Sequence, residues 1–343
     1  MPYIFNKRKR LIMYLALSWT VEAKLDLKDR KILFELDKDS RAGLGEIARK
    51  VRLSKEVVFH RINRLVSEKV ILKFHTVPAS YRFGLMAYKV YLRLGNISRR
   101  DYGRLINYLK GNDAIFWIGV CKGRWDMMFG IWAKTIEEFF IIHDQVLDKF
   151  SKYIHDKELS ISRENLQYNR RWFYHDTLNP VEFNFGETQG RIALDEKNQR
   201  ILDIMADSSR VKLVDIAEQL GVSPKVVAYR IREMEKREII KGYKVLLNPS
   251  RMGFCTCKAF VFFKNIDREK KKHFIEYCKR LPNLINIVIT FAPWDMELMF
   301  ETKTYEEYFG IMDGVKEKFN DIIKIYDSVL ISSEPKQRFL SKE

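Results

Sequence analysis

The sequence predicts an α+β protein made of two copies of one module, each a helical unit followed by an alternating strand–helix unit. Three observations carry that prediction. First, Leu213 to Ile240 reads as two helices joined by a tight turn. Leu213, Ile216, Ala217 and Leu220 repeat at helical spacing and form one apolar face. Gly221 then supplies a left-handed C-cap, Ser223 an N-cap and Pro224 a first helical residue with no amide hydrogen bond to lose. Val226, Val227, Ile231 and Met234 make a second apolar face. Second, the pattern recurs from Leu44 to Leu65, where Ile47, Ala48, Ser54, Val57, Val58, Arg61 and Ile62 each stand 169 residues before a counterpart. Third, the same offset holds without a gap for Asp26 and Asp195, Gly84 and Gly253, Trp125-Asp126 and Trp294-Asp295, and Thr135 and Thr304. A constant offset over roughly 140 residues is an internal duplication.

Each element follows from local chemistry. Asp26 to Asp37 predicts a first helix with Ile32, Leu33 and Leu36 inward, and Ser40 to Gly43 a turn before the helix pair. Ile71 to Val77 predicts a short β-wing ended by Pro78, so the first domain is a winged helix-turn-helix. Leu85 to Leu94 alternates as a strand, Arg99 to Leu109 is helical, and Ile115 to Cys121 and Trp125 to Ala133 are strands around a turn at Gly123. Thr135-Ile-Glu-Glu138 predicts a capping box opening a helix to Phe150, and Ile154 to Ser162 closes as a strand. That order is the ferredoxin-like βαββαβ arrangement. The second copy repeats it: helices from Asp195 to Met205, Leu213 to Leu220 and Ser223 to Lys236, a wing from Ile240 to Leu247, and strand–helix alternation from Cys255 to Ser332.

The expected boundaries are a basic N-terminal extension at 1–24 and a winged helix-turn-helix at 25–80. A ferredoxin-like domain follows at 81–163 and a linker at 164–193. A second winged helix-turn-helix spans 194–249, a second ferredoxin-like domain 250–333, and a tail 334–343. The linker carries Trp172, Phe173, Tyr174, Phe183 and Phe185, too aromatic for a free coil, so it is expected to dock against a sheet.

Length and composition fit this plan. The 343 residues suffice for several cores, and 46% hydrophobic with 31% charged residues marks a globular chain. A net charge of +17 and a pI near 9.5 point to a polyanionic partner. Lys7 to Arg10 followed by Leu11 to Leu17 mimics a signal peptide, but no small-residue cleavage site follows and the run is too short to span a bilayer. The expectation is a cytoplasmic protein with no membrane partner. The four cysteines show neither CxxC nor zinc spacing, so no metal and no cofactor are expected. Cys255 and Cys257 should share one strand face.

The residues Leu53-Ser54, Val58, Arg61-Ile62, Leu65, Ile71 and Gly123-Arg-Trp-Asp126, with Val222-Ser223, Val227, Arg230-Ile231, Met234, Ile240 and Trp294-Asp295, resemble the Lrp/AsnC transcriptional regulators. The resemblance covers 25–163 and 194–332. It implies sensor (RAM) domains of ferredoxin-like fold that pair through their sheets, and DNA-reading heads. It also implies an amino-acid effector held against the Gly-containing turn, near Cys121, Gly123 and Asp126 in one module and Trp294 and Asp295 in the other. Two departures stand out. Lys69 and Glu238 occupy the position where the family has Gly, and Ala292 replaces Gly123 in the second module.

The expected function is a sequence-specific, double-stranded-DNA-binding transcription regulator and not an enzyme. It is expected to pair its own modules or to form a homo-oligomer. The DNA-contact candidates are Ser54, Lys55, Phe59, His60, Arg61, Asn63 and Arg64 in the first head. In the second they are Ser223, Lys225, Ala228, Tyr229, Arg230 and Arg232. Lys55, Arg61, Arg64, Lys225, Arg230 and Arg232 are candidates for phosphate or base-edge contact, and Asn63, His60 and Tyr229 for base reading. Arg61 and Arg230 have a rival role, pairing with a first-helix carboxylate. Because the two heads differ in sequence, the half-sites should be non-identical. Two other readings are an enzyme similar to siroheme decarboxylases, whose sensor-turn His is missing here, and a non-specific architectural DNA binder.

Overall fold

A computed structural model describes residues 22–173, 180–186 and 190–338. The basic segment Lys7 to Arg10, the apolar run after it and Tyr174 lie outside the described residues. Module one opens with α1 (Leu27–Lys38), α2 (Leu44–Val51) and α3 (Lys55–Ser67). Asp26 caps α1 through a reciprocal capping box with Asp29, and Arg52 ends α2 in a left-handed conformation. The strand β1 (Ile71–Pro78) follows. The ferredoxin-like half then runs β2 (Met86–Leu94), α4 (Arg99–Gly111), β3 (Ile115–Gly123), β4 (Met127–Ala133), α5 (Ile136–Phe150) and β5 (Ile154–Tyr168). After β6 (Glu182–Phe185), module two repeats the plan with α6 (Glu196–Ala206), α7 (Leu213–Leu220), α8 (Pro224–Lys236), β7 (Ile240–Leu247), β8 (Cys255–Phe263), α9 (Arg268–Lys279), β9 (Leu284–Phe291), β10 (Met296–Thr302), α10 (Tyr305–Lys318) and β11 (Ile323–Gln337).

The predicted wings are not hairpins within a module. β1 and β7 pair antiparallel with each other, His75 opposite Lys244, and join the two heads in one two-stranded ribbon. Val245, Leu247 and Met252 of module two thereby enter the core of the first head. The physical reason is local: each strand buries five of its eight residues, consecutive ones among them, so both faces need cover and the other module supplies it.

The sensor sheets also join. β5 and β11 each run 15 residues, longer than the sequence predicts, because each pairs along its first part with its own module and along the rest with the other. β5 bonds β2 and then β9; β11 bonds β8 and then β3. With β4 and β10, eight strands close in the order β2-β4-β3-β11-β8-β10-β9-β5 and back to β2. Closure leaves β6 on β5 as an added strand, so the stretch read as a linker continues the sheet at 164–168 and 182–185. Trp172 and Phe173 pack against the first head. Outside the barrel, α4 and α5 cover one apolar core and α9 and α10 another. Thr135 and Thr304 cap their helices, while Glu138 and Glu307 accept from the backbone N–H of Lys134 and Lys303 instead of the cap residue.

The interior of the barrel is aromatic with a charged centre. Tyr91, Trp125, Phe260 and Trp294 pack together there. Lys89 and Lys258, related by the repeat offset, both donate to Glu297 Oε2, at 2.8 and 2.7 Å, and the Tyr91 hydroxyl donates to Oε1. Burial alone would raise the pKa of Glu297, but the two ammonium groups outweigh it and hold the carboxyl at about 2.

Candidate nucleic-acid interface

In the first head, Ser54 Oγ accepts from Val57 N at 3.3 Å and starts α3. The helix buries Val58, Ile62 and Leu65 and turns Lys55, Phe59, His60 and Asn63 to solvent. Phe59 is 48% exposed, so the outer face of α3 presents an aromatic ring to solvent. Arg61 and Arg64 lie elsewhere. Arg61 Nη1 donates to Asp26 Oδ2 at 2.7 Å and Asp29 Oδ1 at 2.8 Å, and Arg64 Nη2 to Asp29 Oδ2 at 2.5 Å. Asp29 is only 1% exposed, so its charge needs this pairing.

In the second head, Ser223 Oγ accepts from Val226 N at 3.4 Å, and α8 buries Val227, Ile231 and Met234. Lys225, Tyr229 and Arg232 are exposed, Tyr229 at 61%, and Ala228 is half-buried between them. Arg230 Nη1 pairs with Asp195 Oδ2 at 2.8 Å and reaches Asn198 Oδ1 at 3.1 Å. Arg232 Nε donates to the carbonyl of Ala228 within its own helix, at 3.3 Å. Neither helix turns its polar face inward.

The heads are fixed to each other across a pseudo-two-fold axis. Ser40 and Ser209, 169 residues apart, share a buried hydrogen bond of 2.9 Å. Arg41 Nη1 donates to the carbonyl of Ser209 at 2.9 Å, and Arg210 Nη1 to that of Ser40 at 2.7 Å. The heads are also tied to the barrel. Arg170, on the strap after β5, bonds Asp37 of α1 at 2.8 Å and both oxygens of Glu301 on β10, at 2.7 and 2.9 Å. Ser40-Arg41 and Ser209-Arg210 recur at the repeat offset, which was the one available signal for this contact, whereas Arg170 is a lone polar residue whose partners are distant in the chain. The Asp29–Arg64 pair had one available signal, a second carboxylate one turn after Asp26.

The sensor-turn candidates divide. Cys121 and Trp294 are buried in the aromatic centre of the barrel, and burial pushes the Cys121 thiol up. Asp126 Oδ2 accepts from Leu94 N and Asp295 Oδ2 from Phe263 N, both at 2.8 Å, so each closes the end of a strand. Gly123 sits opposite Val329 at the β3–β11 junction with φ of +128°. A Cβ there would fall 2.8 Å from the carbonyl oxygen of Ser328. Every one of these residues therefore has a packing or backbone role. Among the described residues, no group of three or more His, Cys, Asp or Glu is arranged to hold a metal ion, and no helix is long and apolar enough to cross a membrane.

Comparison with known proteins agrees with this geometry. Residues 25–71 and 194–241 match the family described as winged helix-turn-helix DNA-binding. The HTH-type transcriptional regulator LrpA of Pyrococcus abyssi is 24% identical over 140 residues, which is 40% of this chain and 96% of that protein. The leucine-responsive regulatory protein of Rhizobium meliloti is 36% identical over 64 residues, 19% of this chain and 41% of that protein. The chain is related to the Lrp/AsnC regulators. An Lrp/AsnC relative is roughly one module long, so this chain holds two such lengths in one polypeptide. Among solved structures, the siroheme decarboxylase NirDL covers 92% of this chain, and 94% of its own, with a TM-score of 0.61 at 12% identity. At that identity the likeness is one of fold, and it extends to the tandem arrangement.

Proposed function

We propose that this protein is a sequence-specific DNA-binding regulator of transcription that grips one duplex with both of its heads. The observation that carries the reading is the pair of outward-facing helices, α3 and α8, locked in one mutual orientation by the β1–β7 ribbon and the Ser40–Ser209 contact. Each helix N-terminus presents small and polar residues with an exposed aromatic, the surface that enters a major groove. Lys55, Phe59, His60 and Asn63 read one half-site; Lys225, Ala228, Tyr229 and Arg232 read the other. Ser54 and Ser223 stand where a helix N-terminus meets a phosphate. The sequences differ at every one of these positions except the serines, so the bound site has two unlike halves and a single orientation.

Selection of bound duplexes from a random pool tests this. The expected product is an imperfect palindrome. A perfect palindrome, or a specific-to-non-specific affinity ratio near one, would count against it. Inserting about five base pairs between the halves turns one of them to the opposite face of the duplex, and rigid heads then lose affinity. The reading also includes a small effector, an amino acid on the strength of the family resemblance, near Cys121, Gly123 and Asp126 or near Trp294 and Asp295. Repeating the selection with and without an amino-acid mixture tests that part separately. A chain that already pairs its own modules needs no second copy to reach both half-sites, and sedimentation of the DNA complex would give its stoichiometry. The reading is of a cytoplasmic, non-enzymatic protein, and a tetrapyrrole absorbance band on purification would overturn its non-enzymatic part.

A further inference from the structure

We infer that Asp29 withholds the arginines of the first head from DNA, so that the two heads hold the duplex by different physics. The inference rests on the DNA-binding reading and assigns each head its part in it. In the first head, one buried carboxylate takes both Arg64, at 2.5 Å, and Arg61, at 2.8 Å, and Asp26 takes Arg61 again at 2.7 Å. In the second head the position of Asp29 is Asn198, and that of Arg64 is Glu233. Arg230 is held as Arg61 is, by Asp195 at 2.8 Å. Arg232, at the position of Asn63, is exposed, and its Nε donates to a carbonyl of its own helix.

The consequence is a division of cations. On the outer face of α3, Lys55 is the exposed cation beside Val57, Phe59, His60 and Asn63. On α8, Lys225, Arg232 and Lys236 are all exposed. Withdrawing Arg64 would take one of the two guanidinium partners of a carboxylate that is 1% exposed, a loss that a phosphate contact at the surface does not offset. The first head therefore contributes mainly apolar and neutral contacts to base edges, with Lys55 as the cation on that face. The second contributes phosphate neutralisation, and with it most of the heads' counterion release.

The salt dependence of affinity for a duplex carrying the selected site separates the heads. Each phosphate contact adds about 0.9 to the slope of log affinity against log salt. Arg232→Ala is expected to lower the slope by about 0.9, and Arg64→Ala to leave it unchanged while lowering the melting temperature. Asp29→Asn, which gives the first head the residue found in the second, is expected to steepen the slope by about 0.9 as Arg64 is released. A slope that falls as much with Arg64→Ala as with Arg232→Ala overturns the inference. So does a folded Asp29→Asn variant with an unchanged slope. Should Asp29→Asn fail to fold, the Arg64→Ala and Arg232→Ala pair decides alone. Absence of any DNA binding by the unaltered protein is a different failure, that of the DNA-binding reading.

Discussion

Lys69 and Glu238 have φ of 59° and 53°, a left-handed conformation that costs an L residue about 1–2 kcal/mol. Both end a recognition helix, where their N–H groups donate back to the carbonyls of Val66 and Glu235. Lys69→Gly is expected to raise stability by about 0.5–1 kcal/mol, the remainder being offset by the greater freedom of Gly when unfolded. Glu238→Gly should gain less, because Glu238 also pairs with Lys241 at 3.1 Å. Urea midpoints measure both, and an unchanged midpoint for Lys69→Gly would mean that the conformation costs nothing here. His75, on the ribbon between the heads, is a second residue with a measurable signature. Burial, helped by Lys73 and Lys244, outweighs the backbone at Ala206 and the charge of Asp207 and lowers its pKa from 6.5 to about 4. The folded state thus refuses a proton that the unfolded chain accepts. The stability this supports is complete above pH 6.5 and drains away as pH falls to about 4. Replacing His75 with Gln should flatten the stability curve in that window, and an identical curve would show the imidazole to be protonated when folded.

At the scale of elements, the barrel closes where β3 meets β11, and Gly123 is the tight point of that junction. Gly123→Ala combines an unfavourable φ of +128° with a contact of 2.8 Å to the backbone of Ser328, and should cost about 1–3 kcal/mol. Ala292→Gly, the same position in module two, should change stability far less. Equal effects of the two substitutions on the melting temperature would refute the asymmetry. Periodicity and capping residues made the helices legible in the sequence, since each reports its own neighbours: Ser54, Ser223, Thr135 and Thr304 all cap as their spacing predicts. Strand partners were not legible. Nothing in Ile71 to Pro78 says that its hydrogen bonds go to Ile240–Leu247, because alternation specifies a face and not a mate. The excess length of β5 and β11 escaped for the same reason: residues such as Glu164 and Glu334 read as polar ends until another module's strand lies beside them. In the candidate site, exposure of Phe59 and Tyr229 followed from the apolar stripe opposite them. The engagement of Arg64 by Asp29 depends on a crossing of two helices, and its one trace in the sequence was a second carboxylate one turn after Asp26.

At the scale of the whole molecule, Arg170 couples a head to the barrel. It is buried between Asp37 and Glu301, which outweigh the cost of its burial and raise its pKa further. Arg170→Met strands two buried carboxylates and should cost about 3–5 kcal/mol. If the strap transmits orientation as well as stability, the same variant should tolerate altered spacing between half-sites that the unaltered protein rejects. Equal spacing tolerance in both would leave Arg170 a purely stabilising role. The centre of the barrel shows what a covalently joined pair can do that identical subunits cannot. Lys89 and Lys258 are mates across the axis, but the acid between them, Glu297, has Met128 as its mate, and Tyr91 has Phe260. Two identical subunits must place any side chain near their dyad in even numbers, so a lone anion shared by two cations is closed to them. Fusing the halves removes that parity rule, and each half becomes free to change without forcing the same change on the other.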